Sequence, residues 1–258
     1  MEEKLDEYKE IFAQMLAETG ALFFKKGLRL KDGRPTPYFV NMGMFKTGRL
    51  SLEMGSVFAA MLVEKGIIEH VDIILGPSYK GSAIAQAVSI ALWNNHGIDI
   101  PFEYDRKEAK AHGEASASGS LFVNQTFFDG CRVFVVDDVA TSMTTKYELI
   151  EKIKGEASRR GIHVKVRGIG IAIDREQTSA VYDKDGRLIE GVRGRDAVSE
   201  FIEKTGIDVR SVAGIREVVE YLYTAGVPIL IEGERAPMRA ELKSIFDDYL
   251  AVYGGRQL

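Results

Sequence analysis

The sequence predicts an α/β protein built on one parallel sheet with helices on both faces. Short apolar runs of strand length alternate with longer segments of helical periodicity over most of the chain. The apolar runs are continuous, which is typical of strands that are buried on both faces. The 258 residues, 45% of them hydrophobic, suffice for one domain with a substantial core. We therefore expect residues 1–258 to form a single domain.

The elements can be placed by their periodicity. An amphipathic helix is expected over the first eighteen residues, ending at Thr19-Gly20, and a β-hairpin from Ala21 to Met42 that turns at Lys31–Arg34. A surface hairpin is expected at 180–192, with its turn at Asp185-Gly186. The other predicted elements are strands at 71–75, 100–104, 132–136 and 164–173, and helices at 50–65, 82–93, 144–160, 215–223 and about 238–253.

Composition excludes several classes of function. A net charge of -4 and a pI near 5.7 argue against general binding to nucleic acid or to a membrane surface. Cys131 is the only cysteine, so neither an intrachain disulfide nor a thiolate metal site can form. Residues 1–10 are too polar for a signal peptide. The sequence therefore predicts a cytoplasmic protein with no nucleic-acid and no membrane partner.

The segment Val133–Lys146 has the arrangement of a ligand site. An apolar strand leads into Asp137-Asp138 and then into a hydroxyl-rich stretch before a helix. Parallel sheets bind ligands at the carboxyl ends of their strands, and the free N–H groups of a following helix favour a phosphate. Two adjacent carboxylates can accept hydrogen bonds from a sugar diol or act through the waters of Mg²⁺. The alternative is that Asp138 and the threonines only cap the helix.

Two further segments carry basic residues. Gly76–Gly81 lies between a strand and a helix at the same sheet edge and contains Lys80. The alternative for Lys80 is an ordinary solvated lysine on a loop. Tyr104–Glu114 is a charged loop followed by small polar residues. Without further information, this second segment is best interpreted as a solvated loop.

These segments resemble motifs of a known family. Residues 135–145 are similar to the phosphoribosyl-diphosphate motif of type I phosphoribosyltransferases. Gly76–Gly81 and Arg106–Glu114 resemble the diphosphate loop and the flexible catalytic loop of orotate phosphoribosyltransferases, and Leu30–Val40 resembles an early segment of that family. The resemblance extends from Ala13 to Glu176. It departs from the family at Met143, where glycine is usual, and at Ala115-Ser116, where a glycine pair is common.

The resemblance implies a type I phosphoribosyltransferase fold, with a hood mainly at 1–45 and a lid loop at about 105–120. It leaves the 180–192 hairpin as an ornament and about 214–258 as a C-terminal helical extension. The implied reaction is Mg²⁺-dependent transfer of ribose 5-phosphate from phosphoribosyl diphosphate to orotate. Its products are orotidine 5′-monophosphate and diphosphate, in pyrimidine biosynthesis.

The resemblance also assigns residues. The expected catalytic residues are Arg106, Lys107, Lys110, His112, Asp137 and Asp138. The expected donor-binding residues are these six together with Lys31, Tyr79, Lys80, Val139, Ala140, Thr141, Ser142, Met143, Thr144 and Thr145. Orotate is expected at Phe39, Val40, Thr141 and Arg175. Mg²⁺ is expected to be held mainly by the donor and by water near the two aspartates, without an assigned protein ligand.

The implied assembly is a homodimer in which Lys110 and His112 of the lid act in the neighbouring subunit's site. Two alternatives remain open from sequence. The first is a phosphoribosyltransferase for another base, against which Arg175 argues, because a guanidinium suits the carboxylate of orotate. The second is a nonenzymatic regulator that binds nucleic acid, against which the acidic balance argues. For Phe39 and Val40 the alternative is core packing, and for Arg175 it is an ion pair with a neighbouring acid.

Overall fold

A computed structural model describes residues 5–106, 120–140 and 143–256. Its elements, in chain order, are α1 (Glu7–Thr19), β1 (Leu22–Arg29), β2 (Pro35–Val40), α2 (Gly48–Glu64), β3 (Ile73–Gly76), α3 (Lys80–His96), β4 (Phe102–Tyr104), β5 (Cys131–Val139), α4 (Thr144–Arg160), β6 (Val164–Asp174), α5 (Ala197–Thr205), β7 (Val209–Gly214), α6 (Ile215–Thr224), β8 (Ile229–Ile231), β9 (Glu234–Ala236) and α7 (Ala240–Tyr253). The predicted α/β class is confirmed.

The larger sheet is parallel throughout, with the strand order β4-β3-β5-β6-β7. One buried cluster joins one face of this sheet to α1, α2, α3 and α6, and a second joins the other face to α4 and α5. Helices thus cover both faces, as the continuous apolar strands predict. The strands point their carboxyl ends toward one edge, where the predicted ligand segments meet.

The smaller sheet has the order β2-β1-β8-β9 and is called the hood below, because β1 and β2 lie in the segment expected to form it. The predicted hairpin of β1 and β2 is present, and its turn closes through hydrogen bonds between Leu30 and Arg34 and between Gly33 and Leu30. β8 pairs with β1 in parallel, so the hood contains a segment from near the C-terminus. α7 packs on the hood through Phe246, which contacts the rings of Phe24 and Tyr38.

Four elements of the structure were not predicted from the sequence: α5, β7, β8 and β9. The segment 180–192 turns as expected, because Asp183 N–H donates to Arg187 O and Gly186 takes a positive φ of 76°. It forms only a single bridge, between Tyr182 and Leu188, and no strands. No helix in the part of the chain that the structure describes is long and apolar enough to cross a membrane.

Candidate functional site

Loops from three neighbouring strands meet at the carboxyl edge of the large sheet: Gly76–Lys80 after β3, residues 137–140 at the end of β5, and 174–178 at the end of β6. The first loop lies tightly against β5. A Cβ atom on Gly76 would come 1.8 Å from Gly81 O, and one on Gly81 would come 3.0 Å from Val136 O. Both positions therefore require glycine, because no side chain fits in that space.

Asp137 is largely buried and both of its carboxylate oxygens are engaged. Its Oδ2 lies 2.6 Å from Lys146 Nζ, and its Oδ1 accepts the N–H of Asp138 at 2.9 Å. Burial raises the pKa of the Asp137 carboxyl, while the Lys146 ammonium opposes that rise. The predicted site carboxylate is thus paired with a cation.

Asp138 pairs with a different lysine. Its Oδ2 lies 2.6 Å from Lys80 Nζ, and its Oδ1 accepts the N–H of Val139 at 2.9 Å. The Lys80 side chain is 58% exposed, so it can move, whereas the Asp138 side chain is only 13% exposed. Lys80 therefore contacts one of the two predicted site carboxylates while its side chain stays largely open to solvent.

The hydroxyl-rich loop leads into α4, whose first residue is Thr144. Met143 is the N-cap residue of α4, and its side chain does not cap the helix. Met143 adopts a positive φ of 59° and is 2% exposed, with its side chain in the cluster beneath α4. It keeps the left-handed backbone that favours glycine and points inward. Thr141 and Ser142 lie outside the described residues.

The other expected donor-binding residues of this edge are partly visible. Val139 is partly buried and Ala140 is buried, whereas Thr144 and Thr145 at the start of α4 are exposed. Tyr79 is 73% exposed on the loop before α3. Lys107, Lys110 and His112 fall outside the described residues, so the structure gives no position for most of the expected lid.

The base of the lid is described, and Asp105 anchors it. Asp105 is buried, accepts the N–H of Ser78 at 2.7 Å and pairs with Lys152 of α4. Lys152 also donates to Arg106 O at 3.2 Å, while Arg106 N–H donates to Leu121 O at 2.7 Å. Asp105 thus links the diphosphate-loop segment to α4 and the first residues of the lid.

Glu103 supports the other end of the lid. It is fully buried, and its carboxylate accepts the backbone N–H groups of Val123, Asn124 and Thr126 within 3.0 Å. The segment that follows the lid is therefore fixed to β4. Sequence reasoning missed Glu103 because no local pattern shows that its hydrogen-bond donors lie twenty residues away.

Hydrogen bonds join the hood to the site edge, including one from Gln177 Nε2 to Tyr38 OH at 2.9 Å. Arg34 donates to Thr178 O at 2.7 Å, and Tyr38 OH donates to Arg175 O at 3.1 Å. Lys31 is exposed on the hairpin turn near these contacts. The turn is also held by Tyr182, whose OH donates to Asp32 O at 3.1 Å.

Phe39 and Val40 point to opposite faces of β2, as neighbouring strand residues do. Val40 is 7% exposed in the main core, whereas Phe39 packs against Phe23 on the other face, with ring centroids 5.8 Å apart. Both side chains therefore cannot flank one ligand ring in this conformation. Val40 therefore packs in the core, which is the alternative role that the sequence left open for it.

Arg175 follows β6 directly, and its Nε is buried without a hydrogen-bond partner among the described residues. Its acidic neighbours have other contacts: Glu176 pairs with Arg216 Nε at 2.8 Å, and Asp174 accepts the N–H of Glu176. Burial raises the pKa of Asp174 to about 6 and that of Glu176 to about 7. From sequence, the alternative for Arg175 is an ion pair with a neighbouring acid. In the structure Glu176 pairs with Arg216 instead.

The comparisons with known proteins agree with this geometry. The chain is 34% identical over 247 residues to an orotate phosphoribosyltransferase of Bifidobacterium adolescentis, covering 94% of this chain and 96% of the relative. It is 31% identical to one of Clostridium beijerinckii, over 96% of this chain and 99% of the relative. No family model matches the chain.

Solved structures give the same result. A crystal structure of orotate phosphoribosyltransferase from Francisella tularensis aligns with a TM-score of 0.72 at 26% identity, covering 95% of this chain and all of that one. The Mycobacterium tuberculosis enzyme solved with phosphoribosyl diphosphate, at 17% identity and a TM-score of 0.52, shows the fold alone. With its type I phosphoribosyltransferase fold, this chain belongs to the orotate phosphoribosyltransferases, the pentosyltransferases of pyrimidine biosynthesis.

Proposed function

We propose that phosphoribosyl diphosphate binds across the carboxyl ends of β3 and β5 and that its ribose 5-phosphate passes to orotate there. The observation that carries this proposal is the pair Asp137-Asp138, which follows a buried strand, precedes the N-terminus of α4 and faces Lys80 at 2.6 Å. The products are orotidine 5′-monophosphate and diphosphate.

The parts of the donor are assigned by charge and hydrogen bonding. The 5′-phosphate takes the loop 139–145, because the N-terminus of α4 is the positive end of the helix dipole and favours an anion. The ribose hydroxyls donate to Asp137 and Asp138. The diphosphate lies against Tyr79 and Lys80, so Lys80 exchanges its contact with Asp138 for one with the donor.

The chemistry requires positive charge around the departing diphosphate. When the bond from C1 to the diphosphate oxygen breaks, its electron pair leaves with the diphosphate and C1 becomes oxocarbenium-like. Arg106 at the lid base, with Lys107 and Lys110 of the lid, stabilises the negative charge that develops. The lid, including His112, excludes water and so strengthens these interactions and limits hydrolysis. Lys31 of the hood turn adds a further donor contact.

Mg²⁺ fits this site through the donor rather than through a protein cage. Among the described residues no group of three His, Cys, Asp or Glu side chains is arranged to hold a metal ion, and both site aspartates already pair with lysines. Held near Asp137 and Asp138 mainly by the donor and by water, Mg²⁺ would neutralise part of the charge that develops on the leaving group.

Orotate is assigned to the junction of β6 and the hood. Its carboxylate supplies the acceptor that the buried Nε of Arg175 lacks, and a guanidinium binds a carboxylate through paired hydrogen bonds. Phe39 and Thr141 complete the contacts to the ring.

The substrate assignment is tested by orotate consumption, which its ultraviolet absorbance reports. With Mg²⁺ and donor we expect turnover of orotate but little of uracil, adenine or hypoxanthine. Arg175→Ala should raise the KM for orotate roughly 10- to 100-fold, since it removes charge-assisted hydrogen bonds. Arg210→Ala, at an exposed position of β7, is the matched control. No orotate turnover by folded protein would contradict the assignment.

The proposed assembly is a cytoplasmic homodimer that shares Lys110 and His112 across subunits. An inactive Lys110→Ala protein mixed with an inactive Asp138→Asn protein should regain activity, because hybrid dimers contain one intact site. The same variants kept separate are the control. Proven subunit exchange without recovery would refute sharing.

A further inference from the structure

Lys146 has a buried position that the sequence did not single out. It lies in the first turn of α4, and its side chain is only 4% exposed. Lysine is almost never fully buried unless its charge is paired. The signal that could have revealed it is its place in the first helical turn, where a cation opposes the helix dipole.

The Lys146 ammonium contacts two residues at the carboxyl end of β5. Its Nζ lies 2.6 Å from Asp137 Oδ2 and 3.0 Å from Val139 O. Val139 is the last residue of β5, where the donor loop begins. One side chain from α4 therefore fixes both the orientation of Asp137 and the start of the loop.

The two lysines of the site differ in freedom. Lys80 is 58% exposed, so it can exchange its contact with Asp138 for one with a ligand. Lys146 is enclosed, and its ammonium cannot leave Asp137 without remaining buried and unpaired, which is strongly unfavourable. The Lys146–Asp137 pair is thus a fixed part of the site.

We propose that Lys146 is a positioning residue that keeps the Asp137 carboxylate charged and aimed at the ribose hydroxyls of the donor, without touching the donor itself. This inference rests on the proposed function, because it takes Asp137 as a donor-binding group. It also assigns to Lys146 the placement of Val139, from which the phosphate loop starts.

A double-mutant cycle on donor binding tests the inference. The binding constant of phosphoribosyl diphosphate is measured by calorimetry for wild type, Lys146→Met, Asp137→Asn and the double variant. Lys146→Met should weaken donor binding roughly 10- to 100-fold, as is typical when a supporting partner of a site group is lost. In the Asp137→Asn background it should add no more than about twofold, since the two residues act as one unit.

Two variants keep the test interpretable. Lys154→Met, on the exposed side of the same helix, should leave donor binding unchanged. If Lys146→Met does not fold, Lys146→Gln keeps a hydrogen-bond donor without the charge, and the double variant leaves no unpaired buried charge. Circular dichroism establishes folding in each case.

The outcomes separate the inference from the proposed function. If Asp137→Asn weakens donor binding but Lys146→Met and Lys146→Gln do not, the inference is wrong and the donor site stands. If Lys146→Met weakens binding equally in both backgrounds, Lys146 acts on the donor itself and the inference is wrong. If Asp137→Asn changes nothing, both the role of Asp137 and the inference fall, while orotate turnover still reports the reaction.

Discussion

The carboxyl edge of the large sheet and the hood hold their candidate ligand residues by different means. At the edge, Asp137 and Asp138 are fixed by contacts of 2.6 Å to Lys146 of α4 and to Lys80 at the start of α3. In the hood, β1 and β2 are fixed by apolar and aromatic packing on α7, more than two hundred residues further along the chain. Ion pairs therefore hold the side chains of the sheet edge, and apolar packing holds the strands of the hood.

This difference assigns separate tasks to the two regions. The paired charges at the edge set the direction of side chains that are expected to meet the donor, so changes there should alter binding more than folding. The aromatic contacts of the hood set the position of a whole sheet over the edge, so changes there should alter folding first.

The largest effect on stability is expected for Phe246→Ala. Phe246 is 1% exposed and its ring lies 5.3 Å from that of Tyr38 and 6.1 Å from that of Phe24. Its truncation should lower the free energy of unfolding by about 3–5 kcal/mol in urea titrations, because it leaves a cavity. Ile245→Ala, at an exposed position next to it, should cost far less. Equal losses would show that α7 does not anchor the hood.

Asp138→Asn should act on the reaction rather than on folding. It removes charge-assisted hydrogen bonds to the donor, so kcat/KM should fall by roughly a hundredfold. The urea midpoint should change little, because Lys80 remains exposed and solvated. Asp247→Asn, an exposed carboxylate of α7, serves as the control. Unchanged kcat/KM in the Asp138 variant would remove Asp138 from the site.

Met143→Gly should have a smaller, mixed effect. Glycine removes the roughly 1–2 kcal/mol that a left-handed backbone costs other residues. The loss of the buried Met143 side chain costs about 1.5–3 kcal/mol, so we expect a net loss near 1 kcal/mol. Donor KM should stay within about twofold, because the loop keeps its path. A gain in stability would show that the side chain contributes nothing in the cluster beneath α4.

The smallest effect is expected for the pH dependence of stability, through Asp174 and Glu176 on either side of Arg175. The folded-state pKa of Glu176 is raised by burial to about 7 from an ordinary 4.5, so the unfolded chain releases this proton first and stability falls as pH rises through that window. Glu176→Gln removes this contribution, and its thermal midpoint should decline less between pH 4.5 and 7. Asp174, whose pKa is raised to about 6, acts in the same direction and remains.

Glu203→Gln, an exposed substitution on α5, should keep the wild-type decline in thermal midpoint. A Glu176→Gln protein with that same decline would show that the Glu176 carboxyl does not titrate in this range.

The sheet edge and the hood also differ in how far the sequence could predict them. The sheet-edge segments are continuous in sequence, so Asp137, Asp138 and Lys80 could be placed from strand, loop and helix order alone. Lys146 and Asp105 could not, because their partners are set by tertiary packing. For the same reason, nothing in residues 30–40 shows that Val40 enters the core while Phe39 remains on the outer face.

The elements that were missed have physical reasons too. β8 and β9 have three residues each, which is too short for any periodicity. α5 did carry usable signals: Asp196 caps its N-terminus through two backbone N–H groups, and Gly206 ends it in a left-handed conformation. β7 lies at the edge of the large sheet, next to β6. Because the predicted sheet ended with the strand at 164–173, no predicted element indicated a further strand beside it.

A crystal structure of this chain with phosphoribosyl diphosphate tests the central claim most directly. We expect the ribose hydroxyls within hydrogen-bond distance of the Asp137 and Asp138 carboxylates, Lys80 Nζ moved from Asp138 to the diphosphate, and Lys146 still paired with Asp137. A donor bound elsewhere, with the Lys80–Asp138 contact of 2.6 Å intact, would contradict it.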